Sequence, residues 1–215
     1  MKSLSLRVVF ALGLSVPLLP VAHVTTSSAL AQSAPASAIT APVQQIYAAL
    51  EQVQASHADF AQRSKIVATA VDQAYDLEAV LKASIGLRYN ALSAEEKQKL
   101  LSVFRDFTVA RYVSSFKPDS GAHFTVTPTV TDSPIGGSKI VQTHIGSADS
   151  MPGTEVSYIM TNENGAWKIT DVLLGDSHIS QAAAQRSDFS ATLASGGVPA
   201  LISVLERKVQ NYSKD

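Results

Sequence analysis

Apolar positions follow a helical period up to about residue 117 and a period of two from there to about residue 175. Val43, Ile46, Tyr47, Leu50 and Val53 share a stripe, which predicts a first helix opening at Thr40 and Pro42. Phe60, Val67 and Val71 predict a second. Asp76 is a suitable N-cap for a short third helix carrying Val80 and Leu81, and Gly86 is its stop. Ser93-Ala94-Glu95-Glu96 is a capping box. The serine oxygen takes the amide three residues on, and Glu96 reaches back. The long helix that follows buries Leu100, Phe104 and Phe107. It stops near Ser115, because Pro118 cannot continue it.

Four strands are predicted next. Phe124, Val126, Pro128 and Val130 alternate with threonines, and Lys139 to Ile145 alternates again. Val156, Tyr158 and Met160 share a face of the third strand. Asn162-Glu163-Asn164-Gly165 is a hairpin turn. In the fourth strand Trp167, Ile169, Asp171 and Leu173 are expected on one face, with Val172 and Leu174 on the other. Short turns make the strands antiparallel neighbours, and Pro128 puts the first at an edge or a bulge. Two helices close the chain. One runs from about Ser180 to Gly196-Gly197, and one opens at Pro199 with the stripe Leu201, Ile202, Leu205, Val209 and Tyr212. The fold class is therefore α+β: N-terminal helices, a curved antiparallel sheet of four strands or slightly more, and two C-terminal helices on one side of it.

Composition narrows the function. A net charge of −1 with no clustered basic face argues against nucleic acid. The absence of cysteine removes thiol catalysis, zinc–thiolate sites and disulfides, so packing alone must hold the fold. The N-terminus has the form of an export signal. Lys2 and Arg7 precede a short apolar run from Val8 to Leu19, and Ala29-Leu30-Ala31 is a small-x-small cleavage site. Residues 1–31 are expected to be removed. Residues 32–41 read as a flexible leader, and 42–212 as one domain: helical over 42–117, sheet over 122–175, helices over 179–212. No later stretch is apolar and long enough to span a bilayer, so a soluble periplasmic product is expected.

Catalytic motifs are missing. The sequence holds no GxSxG, HExxH, GxGxxG or P-loop, and no two histidines stand at helical ligand spacing. Asp176-Ser177-His178 has triad residue types, but sequence neighbours rarely meet in triad geometry; a polar turn is the plainer reading. No cofactor and no metal site are expected.

The C-terminal third carries a resemblance. Trp167-Lys168-Ile169-Thr170-Asp171-Val172 through Gly175 resembles the "WKI-x-DV-x-x-x-G" strand of the MlaC / toluene-tolerance family of periplasmic lipid carriers. Ile179-Ser180, Ala183, Arg186-Ser187-Asp188-Phe189, Gly196-Gly197 and Leu201 resemble the ending of its hopanoid-associated HpnM branch. Tyr75-Asp76, Ile85-Gly86, Leu92-Ser93 and Phe104 fit the family's helical half. Tyr75 and Tyr89 stand where the family often has Phe and Trp. The resemblance implies a non-catalytic, monomeric shuttle. It would bind a hopanoid or a phospholipid in an apolar cavity and exchange it with an inner-membrane transporter and an outer-membrane acceptor. The pocket walls are then expected from Val126, Ile140, Val156, Tyr158, Met160, Ile169, Leu173, Phe189, Leu201 and Leu205, with Arg186 as candidate headgroup contact. Two other classes stay open: a small pocket enzyme, for instance with His144 facing Asp171, and an adaptor that binds a transporter and carries nothing.

If export proceeds as the N-terminal pattern implies, the mature chain starts at Gln32. N-terminal sequencing of protein from the periplasm checks this; retention of Met1 would contradict it.

Overall fold

The computed structural model describes residues 34–214. The expected signal segment 1–31 and its cleavage site lie outside the described residues. From Ala34 onward the chain forms one compact unit.

Five α-helices and a five-stranded sheet make up this unit. Helix α1 spans Ala36–Ala55, α2 Phe60–Ala74, α3 Leu77–Ile85 and α4 Ala94–Ser115, with a 3-10 turn over Gly86–Ala91 between the last two. The strands are β1 (His123–Asp132), β2 (Lys139–Ser147), β3 (Ser150–Glu163), β4 (Ala166–Leu174) and the two-residue β5 (Ile179–Ser180). Helix α5, Gln181–Tyr212, closes the chain. The strands lie in sequence order, each antiparallel to the next. The α+β class is as expected, with a short fifth strand added.

Local chemistry sets most boundaries. Asp59 accepts the amide of Gln62 (2.8 Å), Asp76 that of Ala79 (2.9 Å) and Ser93 that of Glu96 (3.1 Å). Glu96 returns the contact by accepting the Ser93 amide at 2.9 Å, so the capping box is complete. Asn164 and Gly165 turn the β3–β4 hairpin with φ of 51° and 93°. Pro128 lies on edge strand β1 inside a break in register between Val126 and Val130, where no ladder amide is required of it.

Two expectations need correction. The leader assigned to 32–41 is helical from Ala36, and Ile39 and Thr40 are buried. Pro42 mimics a helix start because proline is favoured in a first turn. Here it lies inside α1, and Ile39 continues the buried stripe of Val43, Ile46 and Leu50 one turn upstream. The second correction concerns β4. Met160 pairs with Ile169 and Ile159 with Asp171, leaving Thr170 as an extra residue. That bulge reverses the alternation, so Ile169 shares its face with Val172 and Leu174, while Asp171 and Leu173 take the other.

The core lies between one sheet face and the helices. Val43, Leu50 and Val53 of α1, Leu100 and Val113 of α4, Val141 of β2, Met160 of β3 and Ile169 of β4 are each fully shielded. Among the described residues α5 alone has the length and composition of a membrane span. It is not one continuous helix, because Gly197 has φ 62° and ψ −158°. Each half falls short of the ~20 residues a span needs. Both expected C-terminal helices are thus present on either side of Gly197.

That backbone conformation is open to glycine and strained for other residues. Gly197→Ala is expected to lower stability by about 1–3 kcal/mol. Urea unfolding of the purified domain checks it; an unchanged midpoint would show that the kink relaxes freely.

Candidate functional site

Strand pairing decides which side chains meet the helices. Val156, Tyr158 and Met160 of β3 stand opposite Leu174, Val172 and Ile169 of β4, and opposite Thr143, Val141 and Lys139 of β2. Val126 pairs with Thr143 and shares this face. Phe189, Leu201 and Leu205 of α5 are buried in the same core. Ile140 and Leu173 are not on it. Ile140 pairs with Ile159, and Leu173 with Ser157, so both face away from the helices. Leu173 is displaced by the Thr170 bulge. Ile140 stands beside the equally apolar Val141, and it is Val141 that takes the inward position.

A cavity of about 210 Å³ sits between α4 and the sheet. Ile145, Val156, Tyr158, Val172 and Leu174 form its sheet wall, with Tyr112 and Phe116 on the α4 side and Gln181 at the start of α5. Of the ten predicted wall residues, Val156 and Tyr158 line it. Phe189, Leu201 and Leu205 do not: all three are buried in the core, where α5 packs against α3 and α4. The apolar space thus lies between the sheet and α4. Beyond it lies a void of about 10 Å³ bordered by Tyr75, Arg111, Val172 and Gln181. On the far side an open groove of about 500 Å³ runs between the α2–α3 junction and α4, floored by Tyr75, Leu77 and Leu101.

Tyrosine hydroxyls line this region. Tyr75 and Tyr112 share a hydrogen bond of 2.5 Å. Tyr47 hydrogen-bonds Thr143 at 2.6 Å, and Thr143 donates to the carbonyl of Val156 at 2.6 Å. The Tyr47 and Tyr158 rings meet edge-on at 6.0 Å. Burial disfavours the phenolates. It pushes Tyr47 up to about 12 and holds Tyr75 and Tyr158 well above the usual tyrosine range, with Tyr112 also raised. Sequence reasoning missed this cluster. Its members come from α1, β3, α4 and the residue capping α2, and only their place on apolar stripes marks them.

The residues considered for catalysis are not assembled into a site. Asp176-Ser177-His178 is a surface turn, with His178 Nε2 3.0 Å from Glu155 Oε1. His144 stands opposite Glu155 and not Asp171. The Asp171 carboxylate accepts the amides of Val172 (2.8 Å) and Ala182 (3.1 Å) and the Ser180 hydroxyl (2.5 Å), which fixes the start of α5. Arg186 donates from Nε and Nη2 to the carbonyl of Ala83, at 2.9 and 2.6 Å, where it caps the C-terminal end of α3. Among the described residues no group of three His, Asp or Glu side chains could hold a metal ion.

An open antiparallel meander is covered on one face by helices, with an apolar-walled cavity beneath α4. Residues 41–207 match the family described as MlaC protein, and the chain belongs to the MlaC family. Among solved structures it is similar to the phospholipid-binding protein from Ralstonia solanacearum, determined in complex with a phospholipid. The TM-score is 0.68 at 11% identity, over 83% of this chain and 98% of that one. No curated protein matches it by sequence.

The buried tyrosines fix the sign of the alkaline response. An unfolded tyrosine ionises near pH 10, whereas Tyr47 in the fold holds its proton to about 12. The folded state then binds more protons, so stability is full below about pH 10 and falls as pH rises through that window. Denaturant melts across this range should show the decline, and Tyr47→Phe should make it shallower. An equal slope in the variant would mean that Tyr47 ionises freely in the fold.

Proposed function

We propose that this protein is an exported, non-catalytic lipid carrier. It takes up a phospholipid at the cavity under α4 and moves it through the periplasm, between an inner-membrane transport component and an outer-membrane acceptor. The observation that carries this reading is the apolar-walled cavity between α4 and the sheet. It occurs in a fold that a phospholipid-binding protein shares over nearly its whole length.

Elementary energetics supports the role. Each methylene exposed to water costs about 0.8 kcal/mol, so a lipid with long tails crosses an aqueous gap only inside an apolar sleeve. A carrier must match the membrane rather than surpass it, so that loading and release both proceed. Shallow, partly open apolar walls suit that better than a sealed core. Exposed Leu174 and Ile179 pair with one another beside the cavity, where a lipid would first leave water. The Arg186-Ser187-Asp188-Phe189 and Gly196-Gly197 ending, similar to the hopanoid-associated branch, keeps a polycyclic lipid as the second ligand to test.

Native mass spectrometry of protein purified from its own host, followed by lipid extraction, tests the reading. One co-purifying lipid per chain is expected. Leu174→Glu places a carboxylate on the cavity wall at a residue 44% exposed, so the fold should tolerate it. The variant should melt near the wild type and lose its lipid by at least about tenfold, since a charge in an apolar site costs more than the ~1.4 kcal/mol that a factor of ten requires. A folded variant with undiminished lipid would show the cavity to be the wrong place, and wild-type protein that never carries lipid would remove the carrier reading.

A further inference from the structure

The cavity beneath α4 holds about 210 Å³, below the ~300–1,000 Å³ of a typical ligand pocket. A large ligand enters it only if part of its border moves. Leu174, the last residue of β4, and Gln181, the first of α5, both line the cavity. Residues 175–179 run between them as a strap that ends at Ser180. No residue from Leu174 to Ser180 is buried. The strap's ladder with the sheet is a single pair, Ile179 on Leu174, next to the anchored pair of Ser180 on Leu173. Because Ile179 stands directly opposite Leu174, it lies on the cavity's side of the sheet.

We infer that the strap 175–179 is the gate of this cavity. It swings off β4 between two fixed ends, uncovers the Leu174 side so that a lipid can pass, and closes again. This inference rests on the carrier reading and adds the moving part to it.

The ends of the strap are firm and its middle is not. Ahead of it Val172 is buried, and beyond it Ala182 is buried. The Asp171 carboxylate accepts the Ser180 hydroxyl at 2.5 Å and the Ala182 amide at 3.1 Å, and the Ser180 hydroxyl accepts the Ala183 amide at 3.0 Å. Helix α5 therefore keeps its start when the strap lifts. In the middle, two holds fall on one residue of β3: Gly175 donates its amide to the Glu155 carbonyl at 3.0 Å, and His178 Nε2 lies 3.0 Å from Glu155 Oε1. Backbone strain opposes them. His178 has a φ of 49°, a left-handed conformation that costs energy in a residue with a side chain and is released when the turn opens. Gly175, with φ 66°, takes up the rotation without that cost. Ile179 is already 58% exposed, so lifting it bares little further apolar surface. A segment with few buried contacts, pinned by bonds at the surface, is the kind that opens locally ahead of the rest of a fold.

The test locks the strap and, separately, loosens it. The chain has no cysteine, so an engineered pair forms one defined disulfide. Leu174→Cys with Ile179→Cys joins directly opposed residues of an antiparallel ladder, whose Cα separation of about 4.5–5.5 Å a disulfide spans. The assay follows uptake of phosphatidylethanolamine with a pyrene-labelled acyl chain from vesicles of phosphatidylethanolamine and phosphatidylglycerol. Oxidation should slow uptake by about tenfold or more, and dithiothreitol should restore it. Glu155→Ala removes the side-chain hold on His178 and keeps the backbone one on Gly175. It should speed uptake by about threefold, the size one partly exposed ion pair supports. Its amides over 175–179 should exchange hydrogen faster than in the wild type, while those of α4 and α5 do not. The Glu155→Ala arm decides the question even where the cysteine pair fails to fold. Equal uptake by oxidised and reduced protein, or unchanged exchange over 175–179 in Glu155→Ala, would overturn the gate and leave the carrier standing. Faster exchange spread through α4 and α5 would mean general loosening and would also overturn it. Wild-type protein that takes up no lipid would remove the carrier reading and the gate with it.

Discussion

One surplus residue in β4 determines what the helices rest upon. Because Thr170 has no partner across the ladder, Ile169 and Val172 both turn toward the helices, and Asp171 turns away. Three consequences follow from that shift. The carbonyl of Ile169 accepts the amide of Asp76 at 3.0 Å, which anchors the α2–α3 junction and with it Tyr75. Val172 and Leu174 become cavity wall. Asp171 is placed where its carboxylate holds the first turn of α5. Thr170 stays ordered because its hydroxyl meets that of Thr161 at 3.0 Å. A bulge at this place re-aims several side chains at once.

The interior built on this frame is apolar with a thread of hydroxyls through it. Buried phenols are tolerable only where each oxygen finds a partner. Here Tyr75 and Tyr112 partner one another, and Tyr47 partners Thr143, whose hydroxyl donates to the carbonyl of Val156. Such groups stay neutral in the fold, so they add polarity to the interior without adding charge. On the carrier reading proposed above, a wall that carries hydroxyls would hold an acyl chain less tightly than a fully aliphatic one and so favour release.

Much of the fold was legible because its boundaries are written in short motifs. Ser93 with Glu96, Asn164 with Gly165, Asp76 and Gly86 each act within a few residues, so reading them needs no knowledge of the rest. Pro128 marked an edge or a bulge and proved to lie at both. The start of α1 was not legible, because Pro42 satisfies the chemistry of a first turn while the burial of Ile39 depends on distant partners. Nor was the parity of β4, since a bulge is a backbone event and Thr170 carries no special signature. Which of the buried residues border the cavity was not legible for a related reason. An apolar stripe says that a residue is buried and not what it is buried against, so Leu205 and Val156 look alike in sequence, yet one fills the core and the other borders open space. The tyrosine hydroxyls come together only in three dimensions.

The break in β1 has a consequence for how many chains can share one compartment. An exposed strand edge is a template on which a second chain can add its own strand. In this sheet one border is β1, where Pro128 offers no amide and the ladder is interrupted from Val126 to Val130. On the other border the two-residue β5 covers only Leu173 and Leu174 of β4, and at Ile169 the α2–α3 junction takes the place of a further strand, bridging through Tyr75 and the Asp76 amide. Neither border presents a continuous row of donors and acceptors. A protein that shows Met151, Leu174 and Ile179 to water is at risk of self-association. Blunted edges favour contact through side chains over the strand-on-strand addition that builds a fibre.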